Sequence, residues 1–114
     1  MIGENLLRFN RKQKYLSFDC ESVSLALADP HNIPWEYGWC LMTLDGIIEE
    51  KEYQVKWPKL RTGEIKIRKF VDELTGFSRK FENYDNWTAP EVVLDEFEKH
   101  LYDPTVIPIA HNGL

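Results

Sequence analysis

The sequence has few cysteines and no long apolar run, and each absence excludes a class of protein. Its two cysteines, Cys20 and Cys40, lack the closely spaced Cys or His partners that a zinc site requires, so free, buried thiols are expected. No stretch approaches the ~20 apolar residues of a membrane span, and residues 1–14 contain no apolar core of a signal peptide. We therefore expect a cytoplasmic protein without a membrane partner.

The chain also has fewer basic than acidic residues. The chain has 14 Lys and Arg residues against 19 Asp and Glu residues, a formal net charge of -5. This balance argues against binding of nucleic acid through bulk electrostatics alone, although bound divalent cations would change it locally. Hydrophobic residues make up 43% of the 114 residues, which is enough for one globular core and too little for two.

Alternation of apolar and polar side chains predicts strands in the first half of the chain. Over residues 15–21, Leu16 and Phe18 alternate with the carboxylates of Asp19 and Glu21. The same analysis predicts an inner strand over 35–44, a hairpin turn at Asp45-Gly46 and an edge strand over 47–57.

The middle of the chain predicts a loop followed by a short helix. Residues 58–63 are interpreted as a loop, and residues 67–77 as a helix in which Phe70 and Leu74 stand four apart and Gly76 ends the helix.

A second helix and a final strand are predicted after residue 87. Residues 88–91 have the spacing of a capping box, and Val93 and Phe97 belong to one apolar helical face with Leu94 and Leu101. The β-branched run over 105–114 predicts a strand parallel to an earlier one, although Pro108 is unfavourable in a strand. The fold class is therefore α/β, with a mixed sheet of a three-strand antiparallel meander plus a parallel strand, flanked by helices.

The carboxylates of Asp19 and Glu21 are candidate metal ligands. Because they are two residues apart on a strand, their side chains project from the same face, and their Cα atoms are about 6.5 to 7 Å apart. Both side chains can reach one cation from this distance. A solvent-exposed strand end remains the alternative, because a D-x-E triplet occurs easily by chance in a chain so rich in Asp and Glu.

Residues 18–22 are Phe-Asp-Cys-Glu-Ser, with D-x-E at the end of the first predicted strand, and residues 109–114 are Ile-Ala-His-Asn-Gly-Leu. These two segments resemble the first motif and the start of the second motif of the DEDD, or DnaQ-like, 3′-5′ exonucleases of the ribonuclease H-like superfamily. Residues 73–78 resemble a less specific segment between the two motifs. The resemblance spans nearly the whole chain.

The resemblance implies a ribonuclease H-like fold, two divalent metal ions, Mg²⁺ or Mn²⁺, and a single-stranded DNA or RNA 3′ end as substrate, with a replication or polymerase partner. It implies that Asp19 bridges both metals and that Glu21 binds the metal holding the attacking water. Cys20 and Ser22 would approach the 3′-terminal nucleotide, and Asn112 would help to organise the substrate pocket.

The resemblance also implies that residues 1–114 are the N-terminal part of one exonuclease domain, preceded by a basic arm over 1–14. The Asp of the second motif would lie just beyond Leu114, and His111 is not the family's catalytic base, which belongs to a third motif. With two of four carboxylates, the 114-residue chain is expected to be inactive alone.

Two other functions stay open at this point. One is a noncatalytic ribonuclease H-like module that binds nucleic acid or protein, and the other is the exonuclease domain of a DNA polymerase. The basic residues over 56–69 could contact a phosphate backbone, but a solvated loop explains them equally well. His31 and His100 are interpreted as surface residues.

Overall fold

The computed structural model describes residues 11–24 and 32–110, which form four strands, four helices and one 3-10 turn at Tyr84–Asn86. In chain order the strands and α-helices are β1 (Lys14–Ser22), β2 (Pro34–Thr43), β3 (Gly46–Gln54), α1 (Pro58–Thr62), α2 (Lys69–Thr75), α3 (Phe77–Phe81), α4 (Pro90–Leu101) and β4 (Val106–Ala110). None of the helices in these two ranges is long and apolar enough to cross a membrane.

The strands form one mixed sheet in the order β3-β2-β1-β4. Strands β1, β2 and β3 are an antiparallel meander, and β4 pairs parallel to β1. All four helices lie in the connection from β3 to β4, which takes the chain from one edge of the sheet to the other. The predicted α/β class with a mixed sheet flanked by helices is confirmed, and β1 lies between two neighbours.

The main core lies between one face of the sheet and α4. Leu16 of β1 and Val93 of α4 are fully buried, and the ring of Phe97 lies 5.2 Å from that of Phe18 and 5.5 Å from that of Trp39. The apolar face predicted for α4 is confirmed, because Val93 and Phe97 are buried and the other two members are partly buried.

A second core, the aromatic cluster, lies beside the ends of the strands. Its buried members are Val23, Trp35, Leu60, Phe77, Tyr84 and Trp87. Trp35 is fully buried, stacks on Trp87 at 5.7 Å and meets the edge of Phe77 at 5.0 Å. Trp57 packs against both cores and donates its ring N–H to the Pro34 carbonyl oxygen at 2.7 Å. The aromatic cluster thereby fixes α1 and α3 to the sheet.

The predicted loop over 58–63 is wrong, because this segment forms α1. Pro58 occupies the first helical turn, where a missing N–H costs nothing, and Gly63 ends the helix at a φ of 79°. Leu60 is the buried residue of α1. A five-residue helix is too short to produce the periodicity by which longer helices are predicted.

The predicted capping box at the start of α4 is also wrong. Ala89 is the N-cap and no side chain caps the helix. The backbone of Thr88 is paired elsewhere, since its N–H donates to the Gln54 carbonyl oxygen and its own carbonyl oxygen accepts the N–H of Lys56. Because the Thr88 backbone is paired in this way, it does not cap the helix, which begins at Pro90.

Helix α2 forms within the predicted range and ends at Gly76, whose φ is 72°. The side chains that indicated the helix are not buried, however. Phe70 is 62% exposed and Leu74 is 63% exposed, while Val71 packs inward at 4% exposure. The spacing predicted the helix, but it did not predict which face would be covered.

Val93→Ala should destabilise the protein by roughly 2 kcal/mol, because it removes fully buried methyl groups between α4 and the sheet. Val92→Ala is the matched control, since Val92 is 51% exposed on the same helix and its loss should cost less than about 0.5 kcal/mol. Urea unfolding measures both. Equal midpoints for the two variants would contradict the packing of α4.

Candidate functional site

Among residues 11–24 and 32–110, helix α4 covers one side of the sheet and no helix covers the other side. The open side contains a concavity of about 550 Å³ lined by several acidic side chains. We call this the open face and define it by Ser17, Asp19, Glu21, Glu36, Gly38, Cys40, Glu50 and Glu52. Five of these eight residues carry a carboxylate, so the open face attracts cations.

Strand register determines which of these side chains are neighbours. Asp19 lies opposite Gly38, which in turn lies opposite Glu52 on β3, and Glu21 lies opposite Glu36. Gly38 has no side chain, and a Cβ there would meet no other atom closer than 4.0 Å. The space between Asp19 and Glu52 is therefore open, with carboxylates on both sides.

A single ammonium group enters this acidic surface from α3. Lys80 Nζ lies 2.6 Å from Glu36 Oε2 and 3.8 Å from Glu52 Oε1, and it lies over the ring of Trp35 at 5.7 Å from the centroid. The side-chain amide of Gln54 donates to both carboxylates, at 2.9 and 3.2 Å. Lys80 thus balances part of the negative charge and connects the open face to the aromatic cluster.

The pKa values of Glu21 and Lys80 are shifted by the charged groups that surround them. Partial burial raises the pKa of Glu21, and the charges of Asp19 and Glu36 raise it further, while Lys80 opposes the shift. Burial lowers the pKa of Lys80, but the hydrogen bond and charge of Glu36 outweigh that effect, so the pKa is raised overall. Glu21 therefore holds a proton more strongly than an isolated glutamate does.

Cys20 stands between the two candidate metal ligands in sequence, but its side chain belongs to the opposite sheet face, in register with Tyr37. Desolvation, followed by the charges of Asp19 and Glu21, raises the pKa of its thiol to about 11. Its backbone N–H donates to Asp19 Oδ1 at 2.9 Å. Both cysteines are free, but the expected burial is wrong for Cys20, which is exposed, and for Cys40, which is half-buried.

The remaining residues expected at the substrate are only partly described. Ser22 is half-buried at the end of β1, after an irregularity in the pairing with β2. Asn112 and His111 lie outside the described residues. Strand β4 ends at Ala110, in register with Phe18, the residue before Asp19. The substrate roles of Cys20, Ser22 and Asn112 stay predictions.

Asp19 and Glu21 offer hard oxygen donors, the ligand type that Mg²⁺ and Mn²⁺ prefer. Their chemistry fits the implied metals, and Gly38 leaves space beside them. Within residues 11–24 and 32–110, however, no three His, Cys, Asp or Glu side chains are grouped as a metal site would require.

The sequence analysis did not identify four residues that lie on or contact the open face: Glu36, Gly38, Glu52 and Lys80. Only Gly38 gave a local signal, because a glycine inside an inner strand often marks a close approach or an open space. The other three come from β2, β3 and α3, and only strand pairing and the packing of α3 bring them together.

A second polar group lies on the covered side of the sheet. Glu49 accepts a hydrogen bond from the Trp39 ring N–H at 3.2 Å and lies 2.7 Å from His100 Nε2. The interpretation of His100 as a surface residue is wrong, because its side chain is 19% exposed and connects α4 to β3. The group stabilises the fold and lies away from the open face.

No family model matches this chain, and no curated protein sequence matches it significantly.

Glu49→Gln should lower the melting temperature at pH 7, and the difference should shrink as the pH falls below about 4. The Trp39 hydrogen bond, with His100, lowers the pKa of Glu49, so the stabilisation is present above the ordinary glutamate pKa and is lost on acidification. Thermal melts at both pH values measure this. Exposed Glu82→Gln is the control, and an equal pH dependence for both variants would argue against the Glu49 pair.

Proposed function

We propose that the protein is a metal-dependent 3′-5′ exonuclease of the DEDD type in which Asp19 and Glu21 are metal ligands. The observation that carries the proposal is the projection of both carboxylates from one open face of the central strand, with the open space at Gly38 beside them. The proposed substrate is the 3′ end of a single-stranded DNA or RNA, and the proposed cofactors are two Mg²⁺ or Mn²⁺ ions.

The parallel strand supports this proposal. Strand β4 runs in the same direction as β1 and ends at Ala110, beside Phe18. Strand β4 therefore reaches the level of Phe18, the residue before Asp19, on the edge of β1 that faces away from β2. A ribonuclease H-like identity for the fold is part of the same proposal, and the strand order β3-β2-β1-β4 agrees with it.

Divalent cations bound at this face would polarise the phosphate and supply an activated water. The chain's own residues would bind and orient them. The Cys20 N–H holds Asp19 Oδ1 in place, and Lys80 balances Glu36, which would otherwise repel Glu21 more strongly. The raised pKa of Glu21 means that cation binding competes with a proton, so binding should weaken on acidification.

A noncatalytic module is the second candidate. It is favoured by the absence, in the described ranges, of any group of three metal-binding side chains. Such a module would bind nucleic acid or a protein without cleaving it, and it would need neither Asp19 nor Glu21.

Asp19→Asn and Glu21→Gln should each reduce 3′-end trimming by at least about a hundredfold in the full gene product, because each removes a charged metal ligand while keeping its shape. Trimming of a 5′-labelled single-stranded oligonucleotide in Mg²⁺ or Mn²⁺ measures this on a sequencing gel.

The matched controls are Asp95→Asn and Glu91→Gln, two exposed carboxylates on α4, on the covered side of the sheet. They should leave trimming unchanged. Metal-dependent trimming that survives both Asp19→Asn and Glu21→Gln would refute the assignment. A full gene product that binds the oligonucleotide but never shortens it would favour the noncatalytic module.

A further inference from the structure

Charge is unevenly distributed along this acidic chain. Residues 56–80, which we call the basic segment, contain eight of the 14 Lys and Arg residues but three of the 19 Asp and Glu residues. The basic segment therefore carries a net charge of +5, and the remainder of the chain carries -10. It includes α1, α2 and α3. Such segregation creates a local positive field that the net charge of the whole chain conceals.

Most of these cations are available to a partner. In the part of the chain that the structure describes, five of them are exposed and form no ion pair: Lys59, Lys66, Arg68, Lys69 and Arg79. The other three have partners, since Arg61 pairs with Asp85, Lys80 pairs with Glu36, and the Lys56 ammonium donates to a backbone carbonyl. An ordinary solvated surface of this chain would be expected to mix both signs of charge.

The aromatic cluster explains why these cations face outward. Ile65 and Ile67 pack against this cluster, so the alternating Lys66 and Arg68 are left exposed. Lys69 follows at the first position of α2. Lys66, Arg68 and Lys69 are thus exposed beside an apolar cluster against which their neighbours Ile65 and Ile67 pack.

We propose that the basic segment is a docking surface for the phosphate backbone of a single-stranded nucleic acid. This inference rests on the proposed exonuclease function, because the nucleic acid that docks here would be the substrate of that enzyme. It adds a binding surface outside the metal site. The basic segment reaches the open face at its last residue, because Lys80 contacts Glu36, which lies opposite Glu21. A strand whose 3′ end lies at Asp19 would have its upstream phosphates on the basic segment.

An exposed aromatic side chain favours nucleic acid over a lipid surface. Phe70 is 62% exposed and follows Lys69 directly, and cations beside an accessible aromatic face are the combination that binds single strands. Helix α2 has seven residues and exposes one further apolar side chain, Leu74. Membrane-surface helices are usually longer and bury a continuous apolar face, which α2 does not offer.

Salt-dependent binding tests this surface without requiring catalysis. The probe is fluorescein-labelled oligothymidylate or oligouridylate of about twenty nucleotides, with anisotropy measured in EDTA so that metal-dependent cleavage cannot occur. Lys66→Gln/Lys69→Gln should weaken binding by roughly tenfold or more near 0.1 M salt. It should also reduce the slope of log K against log salt by about 1.4, which corresponds to two lost phosphate contacts.

The matched control is Lys14→Gln/Lys99→Gln, which removes the same charge from two exposed lysines outside the basic segment. For this control, the slope of log K against log salt should equal that of the unsubstituted chain within experimental error. If the first double variant loses its folded circular dichroism, Arg79→Gln on α3 replaces it, with an expected slope change of about 0.7.

Three outcomes would overturn the inference: no binding of either oligonucleotide, equal losses in the two double variants, or tighter binding to phosphatidylserine vesicles than to the oligonucleotides. Failure of the exonuclease proposal gives a different pattern. In that case oligonucleotide binding would depend on Lys66 and Lys69, while the full gene product would show no trimming that depends on Asp19.

Discussion

Pairing of β1 on both of its edges is the constraint on which the rest of this structure depends. Antiparallel pairing with β2 and parallel pairing with β4 place β1 inside the sheet, and the full burial of Leu16 beneath α4 fixes which face turns to the core. Because side chains alternate along a strand, burial of Leu16 necessarily directs Asp19 and Glu21 to the open face. A shift of one residue in register would exchange the two faces and bury both carboxylates.

Burial also explains why the two faces of the sheet carry different kinds of side chain. The covered face contains aromatic rings that pack against α4, and the acidic group of Glu49 on this face is stabilised by Trp39 and His100. The open face holds the carboxylates of Asp19, Glu21, Glu36, Glu50 and Glu52, and the ammonium group of Lys80 contacts two of them. Carboxylates this close repel each other, as the raised pKa of Glu21 reflects, and a bound cation would relieve that repulsion.

The aromatic cluster connects the open face to the basic segment. Trp35 packs against Phe77 at the start of α3, and Lys80 at the far end of this five-residue helix lies over the Trp35 ring. The same helix therefore anchors one cation among the carboxylates and belongs to the segment that exposes unpaired cations. The Lys80–Glu36 ion pair is therefore the contact between the acidic open face and the basic segment.

The sequence by itself determined the strands, the helix α4 and the shared face of Asp19 and Glu21, because local periodicity encodes all three. It did not determine the start of α4, since the Thr88 backbone is paired with residues at the end of β3, more than thirty positions earlier in the sequence. It also left the exposure of Phe70 undecided, because spacing on a helix defines a face without stating what covers it. Only the tertiary structure decided that Glu36, Glu52 and Lys80 meet beside Glu21, since these residues come from separate elements whose contacts depend on long-range pairing and packing.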